Sequence, residues 1–155
     1  NAAASLTRQL TRNGFKKYYE AMAEGTPPAA SGTLTDYLIR DGRTNCSAVC
    51  SPDTLGSKKA VLEYQVLAQY ETNGKCLSHL RIQLQTGRHH QIRVQFSHAG
   101  CPLFGDRKYN PDGIPVSRLY LCACQLDFLH PSTGKLLHFE IQPFFYEEFD
   151  KSSPS

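Results

Sequence analysis

Hydrophobic and polar positions alternate along two neighbouring stretches of the chain. Leu62, Tyr64, Val66, Ala68 and Tyr70 mark the first, and Leu80, Ile82 and Leu84 the second. A period of two is that of a strand with one buried face. Between them, Glu71-Thr72-Asn73-Gly74-Lys75 holds an Asn-Gly pair, the residues that best tolerate the positive φ angles of a tight hairpin turn. The segment Leu119 to Leu129 is nearly continuously apolar, which predicts a strand buried on both faces. His130-Pro131-Ser132-Thr133-Gly134 then turns the chain into Leu137, Phe139 and Ile141, another alternating run. Thr26 to Thr33 is rich in Pro, Ala, Gly and Ser, and Cys50 to Lys59 is polar with Pro52 and Gly56. Both read as loops.

Two segments carry helical signals. Asn1 to Arg12 reads as a helix, with Ala2, Ala3, Ala4, Leu6, Gln9 and Leu10 helix-compatible and Leu6 and Leu10 on one face. His89 to His98 fits two patterns. Ile92, Val94 and Phe96 alternate as in a strand, while Ile92 and Phe96 also match a helical spacing. Thr86 as a candidate N-cap and Gly100 as a stop favour the helix, with Arg88 in its first turn.

A chain of 155 residues at 17.3 kDa can bury one sizeable core. No apolar stretch approaches the roughly 20 residues needed to cross a bilayer, and no secretory segment opens the chain. A cytoplasmic protein with reduced thiols is expected. Six cysteines are present. Cys46 and Cys50, Cys122 and Cys124, and the solitary Cys76 and Cys101 do not make the paired knuckles of a zinc site. Cys122 and Cys124 are expected to share one strand face as buried apolar thiols. The net charge is only +3, so basic character must be local. Acids gather near the end, at Glu140, Glu147, Glu148 and Asp150.

The basic character is found from Arg81 to Tyr109. Arg81, Arg88, Arg93, Arg107 and Lys108 lie there with Asp106 as the sole acid, beside His89, His90 and His98. Gly87, Gly100 and Gly105 punctuate the segment and allow close backbone approach. Such a segment suits a polyanion such as RNA. On charge alone it also fits a basic surface strand and turn.

The order of residues adds more. Thr86-Gly87-Arg88-His89-His90-Gln91-Ile92-Arg93, followed by Gly100-Cys101-Pro102-Leu103-Phe104-Gly105-Asp106 and Tyr109, closely resembles the signature of pseudouridine synthases of the RluA/RsuA type. That signature reads T-G-R-x-H-Q-I-R, then G-x-P-x-x-G-D-x-x-Y. About ten fixed identities at fixed spacing are far more specific than a lone glycine motif. Lys17-Tyr18-Tyr19-Glu20-Ala21 with Gly25 resembles the family's K-x-Y-x-A segment. Leu121-Cys122-Ala123 and His130-Pro131 resemble its L-H-A and H-P elements, with Cys122 where a His is common. The resemblance runs from Phe15 to Phe144 and also implies the helix within His89 to His98.

The family's nucleophilic aspartate sits in an R-L-D-x-x-T-S-G motif ahead of the K-x-Y-x-A segment, and no such string occurs in these residues. Residues 1–155 are therefore read as the C-terminal part of a catalytic domain, unable to isomerise uridine alone. The resemblance implies that Arg93 pairs with that aspartate and keeps it ionised. It implies that Tyr19 stacks on the flipped base and assists proton transfer. Arg88, Arg107 and Lys108 are expected on phosphates, with His90 and Gln91 orienting loops or touching RNA. Leu121 lines the pocket or belongs to the core. Plainer readings make Tyr19 a strand tyrosine, Arg93 an ion-pair partner of a buried acid, and Asp106 a turn or capping residue. Without the nucleophile, Arg93 is expected to turn to solvent or to borrow an acid such as Asp106.

The expected fold is α+β, a mixed and largely antiparallel sheet with a few helices. The expected activity is isomerisation of a uridine to pseudouridine in ribosomal or transfer RNA, with no metal or organic cofactor. The alternative is a non-catalytic RNA-binding domain. A small β-rich interaction module would account for the strands but not the signature. RNA is the expected partner, no membrane is, and an exposed sheet edge should favour a dimer or a retained N-terminal fragment.

Overall fold

Seven strands form one sheet in the computed structural model, which describes Ala3 and residues 15–150. They are β1 (Lys16–Glu24), β2 (Ser31–Asp41), β3 (Cys46–Cys50), β4 (Lys58–Thr72), β5 (Lys75–Leu84), β6 (Leu121–Leu129) and β7 (Leu136–Glu140). The spatial order is β3-β2-β4-β5-β1-β6-β7, and every pairing is antiparallel. Two described helices of at least one turn accompany them, α1 (Gln91–His98) and α2 (Tyr146–Asp150). The fold is thus α+β with an open sheet, and β3 and β7 are its edges. The helix expected over Asn1 to Arg12 lies outside the described residues apart from Ala3. No helix among the described residues is long and apolar enough to cross a membrane.

The β4–β5 hairpin follows the alternation of its sequence. Asn73 and Gly74 at its tip have φ of 51° and 74°, the left-handed pair that matches the twist of the flanking strands. Register holds from Leu62↔Leu84 to Val66↔Leu80, then shifts before Ala68↔His79, so Leu67 is an extra residue. This bulge lets Leu77 and Leu80, on opposite faces of β5, each meet an inward residue of β4.

Successive side chains of β1 point to opposite faces, and each face has its own core. Ala21, Ala23, Leu62, Tyr64, Leu80 and Ile82 form one, closed by Ile92 and Phe96 of α1. Phe96 is fully buried and meets Tyr64 edge to face at 5.6 Å, and truncating it to alanine costs about 3–5 kcal/mol through lost burial and the cavity left behind. Met22, Leu77, Phe104, Tyr120 and Phe145 form the other, in front of α2. There the buried Glu20 accepts hydrogen bonds from His79 (2.8 Å) and from the Tyr146 hydroxyl.

Four expectations need correction. The strand expected as doubly buried from Leu119 to Leu129 begins at Leu121, and only Cys124 within it is buried. Its outer neighbour is the five-residue edge strand β7, so it lies near a rim, and Leu129, Leu136, Phe139 and Ile141 are exposed. Cys122 and Cys124 do not form a matched buried pair. A register shift between Tyr18↔Gln125 and Tyr19↔Ala123 makes Cys124 a bulge residue, which breaks the alternation and leaves Cys122 half-buried. The loop expected over Thr26 to Thr33 ends earlier, because Ser31 and Gly32 pair with Gln65 and Tyr64. Likewise Lys58 and Lys59, expected in a loop, pair with Leu38 and Tyr37. No alternation announces β2 or β3, whose stability comes from pairing with β4 and with each other.

Candidate active site

The signature segment leaves β5, makes a glycine turn and enters α1. Thr86 does not cap the helix. Its Oγ1 accepts the Val61 N–H at 2.8 Å and donates to Gln91 Oε1 at 2.8 Å. The N-cap is His90, in the left-handed conformation at φ 54° with no side-chain cap. Arg88 therefore precedes the helix instead of occupying its first turn, and His89 does not share a helical face with Arg93. Gln91 is 3% exposed and its amide is fully engaged. Its Oε1 also accepts the Arg88 N–H at 2.9 Å, and its Nε2 donates to the Val61 carbonyl at 3.1 Å. Gln91 thus ties the loop to β4, the loop-orienting one of the two roles expected of it.

Arg93 projects from α1 into a fork with Asp106. Nε donates to Oδ2 at 3.0 Å and Nη2 to Oδ1 at 2.8 Å. Asp106 is 2% exposed and also accepts the backbone N–H groups of Lys108 and Tyr109 at 3.1 Å. It is both the turn residue expected from its neighbours and the acid paired with Arg93. The hydrogen bonds to Asp106 raise the already high pKa of Arg93, so the guanidinium is permanently charged. Its plane lies 5.1 Å from the Tyr109 ring. Among the described residues Nη1 has no acceptor.

Tyr109 joins the signature to the β2–β3 hairpin. Its hydroxyl accepts the Ser47 N–H at 2.9 Å and shares a hydrogen bond with His90 Nδ1 at 2.7 Å. Burial first, then the charges of Arg93, His89 and Lys108, push His90 down to about 4, which keeps it neutral. His89 stacks on His90 at 3.8 Å and meets Ser47 Oγ and Asn45 Oδ1. Lys108 Nζ donates to the Asn45 carbonyl at 3.0 Å, and Arg107 is exposed. Ser47 and Asn45 were not legible as site residues. The left-handed φ of 53° at Asn45 belongs to a turn whose sequence, Gly42-Arg43-Thr44-Asn45, carries only a weak signal.

Tyr19 stands on the α1 face of β1, paired with Ile82 on one side and Ala123 on the other. Leu121 pairs with Ala21, so Tyr19 and Leu121 are diagonal neighbours on that face. Both are half-buried and pack against the core that includes Ile92 and Phe96. Burial raises the pKa of the Tyr19 hydroxyl, so it carries its proton at neutral pH. Among the described residues it has no hydrogen-bond partner.

The basic residues do not all share this side. Arg81 lies on the opposite face, 4.8 Å over the Tyr18 ring and bonded to Gln125. Among the described residues no cluster of His, Cys, Asp and Glu is arranged to hold a metal ion, and the six cysteines are free thiols.

Residues 1–98 match the family model for RNA pseudouridylate synthases. An uncharacterized RNA pseudouridine synthase of Chloroflexus aurantiacus is 36% identical over 140 residues, covering 89% of this chain and 42% of that protein. The ribosomal large subunit pseudouridine synthase D of Neisseria meningitidis serogroup B is 34% identical over 151 residues, 90% and 38% of the two chains. The chain thus spans less than half the length of these relatives. Among solved structures it is similar in fold to human RNA pseudouridylate synthase domain containing 1, with a TM-score of 0.78, 24% identity, and coverage of 96% and 63%. Human RNA pseudouridylate synthase domain containing 4 gives a TM-score of 0.70 at 22% identity, covering 94% and 65%. The sheet with its two helices is that of the α+β pseudouridine synthase fold.

Proposed function

We propose that this chain, which belongs to the RNA pseudouridylate synthase family, supplies part of the apparatus that isomerises a uridine to pseudouridine in RNA. One observation carries the reading. On a single face of the sheet, the half-buried Tyr19 presents a protonated hydroxyl, unpartnered among the described residues, beside Leu121, against the helix that bears Arg93.

Isomerisation breaks the N1–C1′ bond, turns the uracil and rejoins it through C5, whose proton leaves. A carboxylate nucleophile suffices. In the family pattern that aspartate precedes the K-x-Y-x-A segment. Arg93 is held by Asp106 along one edge, and its Nη1 edge is the one that pairs with the nucleophile and keeps it ionised. The target base leaves its stack at a cost of a few kcal/mol and lies on the Tyr19 ring, with Leu121 forming the apolar wall. The Tyr19 hydroxyl serves proton transfer. His90 acts from behind, through Tyr109. Arg88, Arg107 and Lys108 meet phosphates.

Ribosomal or transfer RNA is the substrate, consistent with the ribosomal target in the name of the Neisseria relative. Edge strand β7, where Leu136 and Phe139 are exposed, is the surface for self-association or strand addition. Residues 1–155 act as the C-terminal part of the catalytic domain and do not turn over alone, because no R-L-D-x-x-T-S-G string lies among them.

Tritium release from RNA labelled at uridine C5 tests this. The protein made from its complete gene releases tritium, and the 155-residue chain does not. Release by the short chain would refute the assignment of the nucleophile. RNA binding without release by the complete protein would favour the non-catalytic RNA-binding alternative.

A further inference from the structure

On the hairpin side of the signature, Arg40 of β2, Lys58 of β4 and Arg88 line one groove of about 250 Å³ together with Gly56, Gly87 and His89. No carboxylate lines it. The two acids of β2 are committed elsewhere, Asp36 to Gln95 and Asp41 to the Arg43 backbone N–H. Among the described residues Arg40 makes no ion pair, and its Nη2 donates to Asn45 Oδ1 at 3.2 Å. Among the described residues the Arg88 guanidinium spends only Nε, on the Lys59 carbonyl at 2.9 Å.

Three exposed cations around one concavity repel one another, and their common field attracts an anion. Gly56 and Gly87 add no side chain to the lining, which permits the close approach that a phosphate needs. A second sign of the field is His89. Burial first, then the charges of Arg40, Lys108 and Arg93, lower its pKa.

We infer that this groove grips a backbone phosphate of the RNA through Arg40, Lys58 and Arg88, at a point on β2 and β4 that β5 separates from Tyr19 of β1. This rests on the RNA-directed function proposed above. Neither Arg40 nor Lys58 belongs to the signature, so the groove extends the RNA footprint onto β2 and β4.

The test uses the protein made from its complete gene and a fluorescent single-stranded RNA containing uridine, with binding followed by anisotropy across a range of KCl concentrations. Arg40→Gln and Lys58→Gln each lower the slope of log K against log salt by about 0.7, and the double variant by about 1.4. Both side chains are exposed, so thermal melting stays at the wild-type value and loss of folding is excluded. Lys135→Gln, at the β6–β7 turn, leaves the slope unchanged. Unchanged slopes for Arg40→Gln and Lys58→Gln would overturn the groove assignment, as would an equal drop for Lys135→Gln. A third arm adds inorganic phosphate at constant ionic strength. Specific displacement of RNA by phosphate, lost in Lys58→Gln, would make the groove a free-phosphate site and overturn the backbone assignment. A wild-type protein that binds no RNA at any salt would sink the RNA-directed function and the groove together, whereas unchanged slopes in a wild type that binds would sink the groove alone.

Discussion

Arg93 and Asp106 meet edge to edge, Nε on Oδ2 at 3.0 Å and Nη2 on Oδ1 at 2.8 Å, with the aspartate almost wholly buried. This joins α1 to the turn that carries Arg107 and Lys108. It also spends one edge of the guanidinium on structure. A buried carboxylate with its partner removed is costly, so experiment can separate this structural duty of Arg93 from the catalytic one proposed for it.

Arg93→Ala should nearly abolish tritium release by the complete protein and leave RNA affinity within a few-fold. It should also destabilise the fold by about 3 kcal/mol, because Asp106 loses its counterion. Arg93→Lys keeps the charge without the fork and should recover stability in part but little turnover. Near-normal turnover in Arg93→Lys would show that a point charge suffices.

Tyr19→Phe isolates the hydroxyl. The ring and its packing remain and the hydroxyl has no partner to lose among the described residues, so the melting temperature should stay close to wild type. Turnover should fall at least about 100-fold if the hydroxyl moves a proton. Unchanged turnover would reduce Tyr19 to a stacking platform.

His90 gives a pH dependence of stability. An imidazole that ordinarily titrates at 6.5 is pushed down to about 4 in the fold. Above pH 6.5 both folded and unfolded chains leave it neutral and it has no effect. As pH falls below 6.5 the unfolded chain takes up a proton that the fold refuses, so stability drops until about pH 4. His90→Asn tolerates the left-handed backbone and removes this titration, so its melting curve against pH should be flatter in that window. Parallel wild-type and variant curves would contradict the shift.

Gly105→Ala tests the turn in the G-x-P-x-x-G-D element. Gly105 has φ of 82°, and an added Cβ would lie 1.9 Å from the Arg118 carbonyl oxygen. Neither strain nor overlap can relax without moving the 105–118 loop, so the variant should lose about 3 kcal/mol or more. Urea unfolding measures it, and a loss under 1 kcal/mol would show that the loop yields.

What the sequence determined by itself is what local chemistry determines. The β4–β5 hairpin was legible because Asn73-Gly74 and the flanking alternation are both local signals. The identity of the signature was legible because it is a string of residues at fixed spacing. The start of α1 was misread at Thr86, because its hydroxyl could satisfy either the helix N-terminus or the β4 edge, and only the fold brings Val61 within reach. The same holds for β2 and β3, whose polar residues show no period until β4 lies beside them, and for Cys124, whose bulge exists only against β1. Tertiary structure alone decided which acid faces Arg93 and sent Arg81 to the opposite face from Arg88. It also gathered Arg40, Lys58 and Arg88 around one groove. Charges respond to distance in space, and antiparallel pairing of distant segments sets those distances.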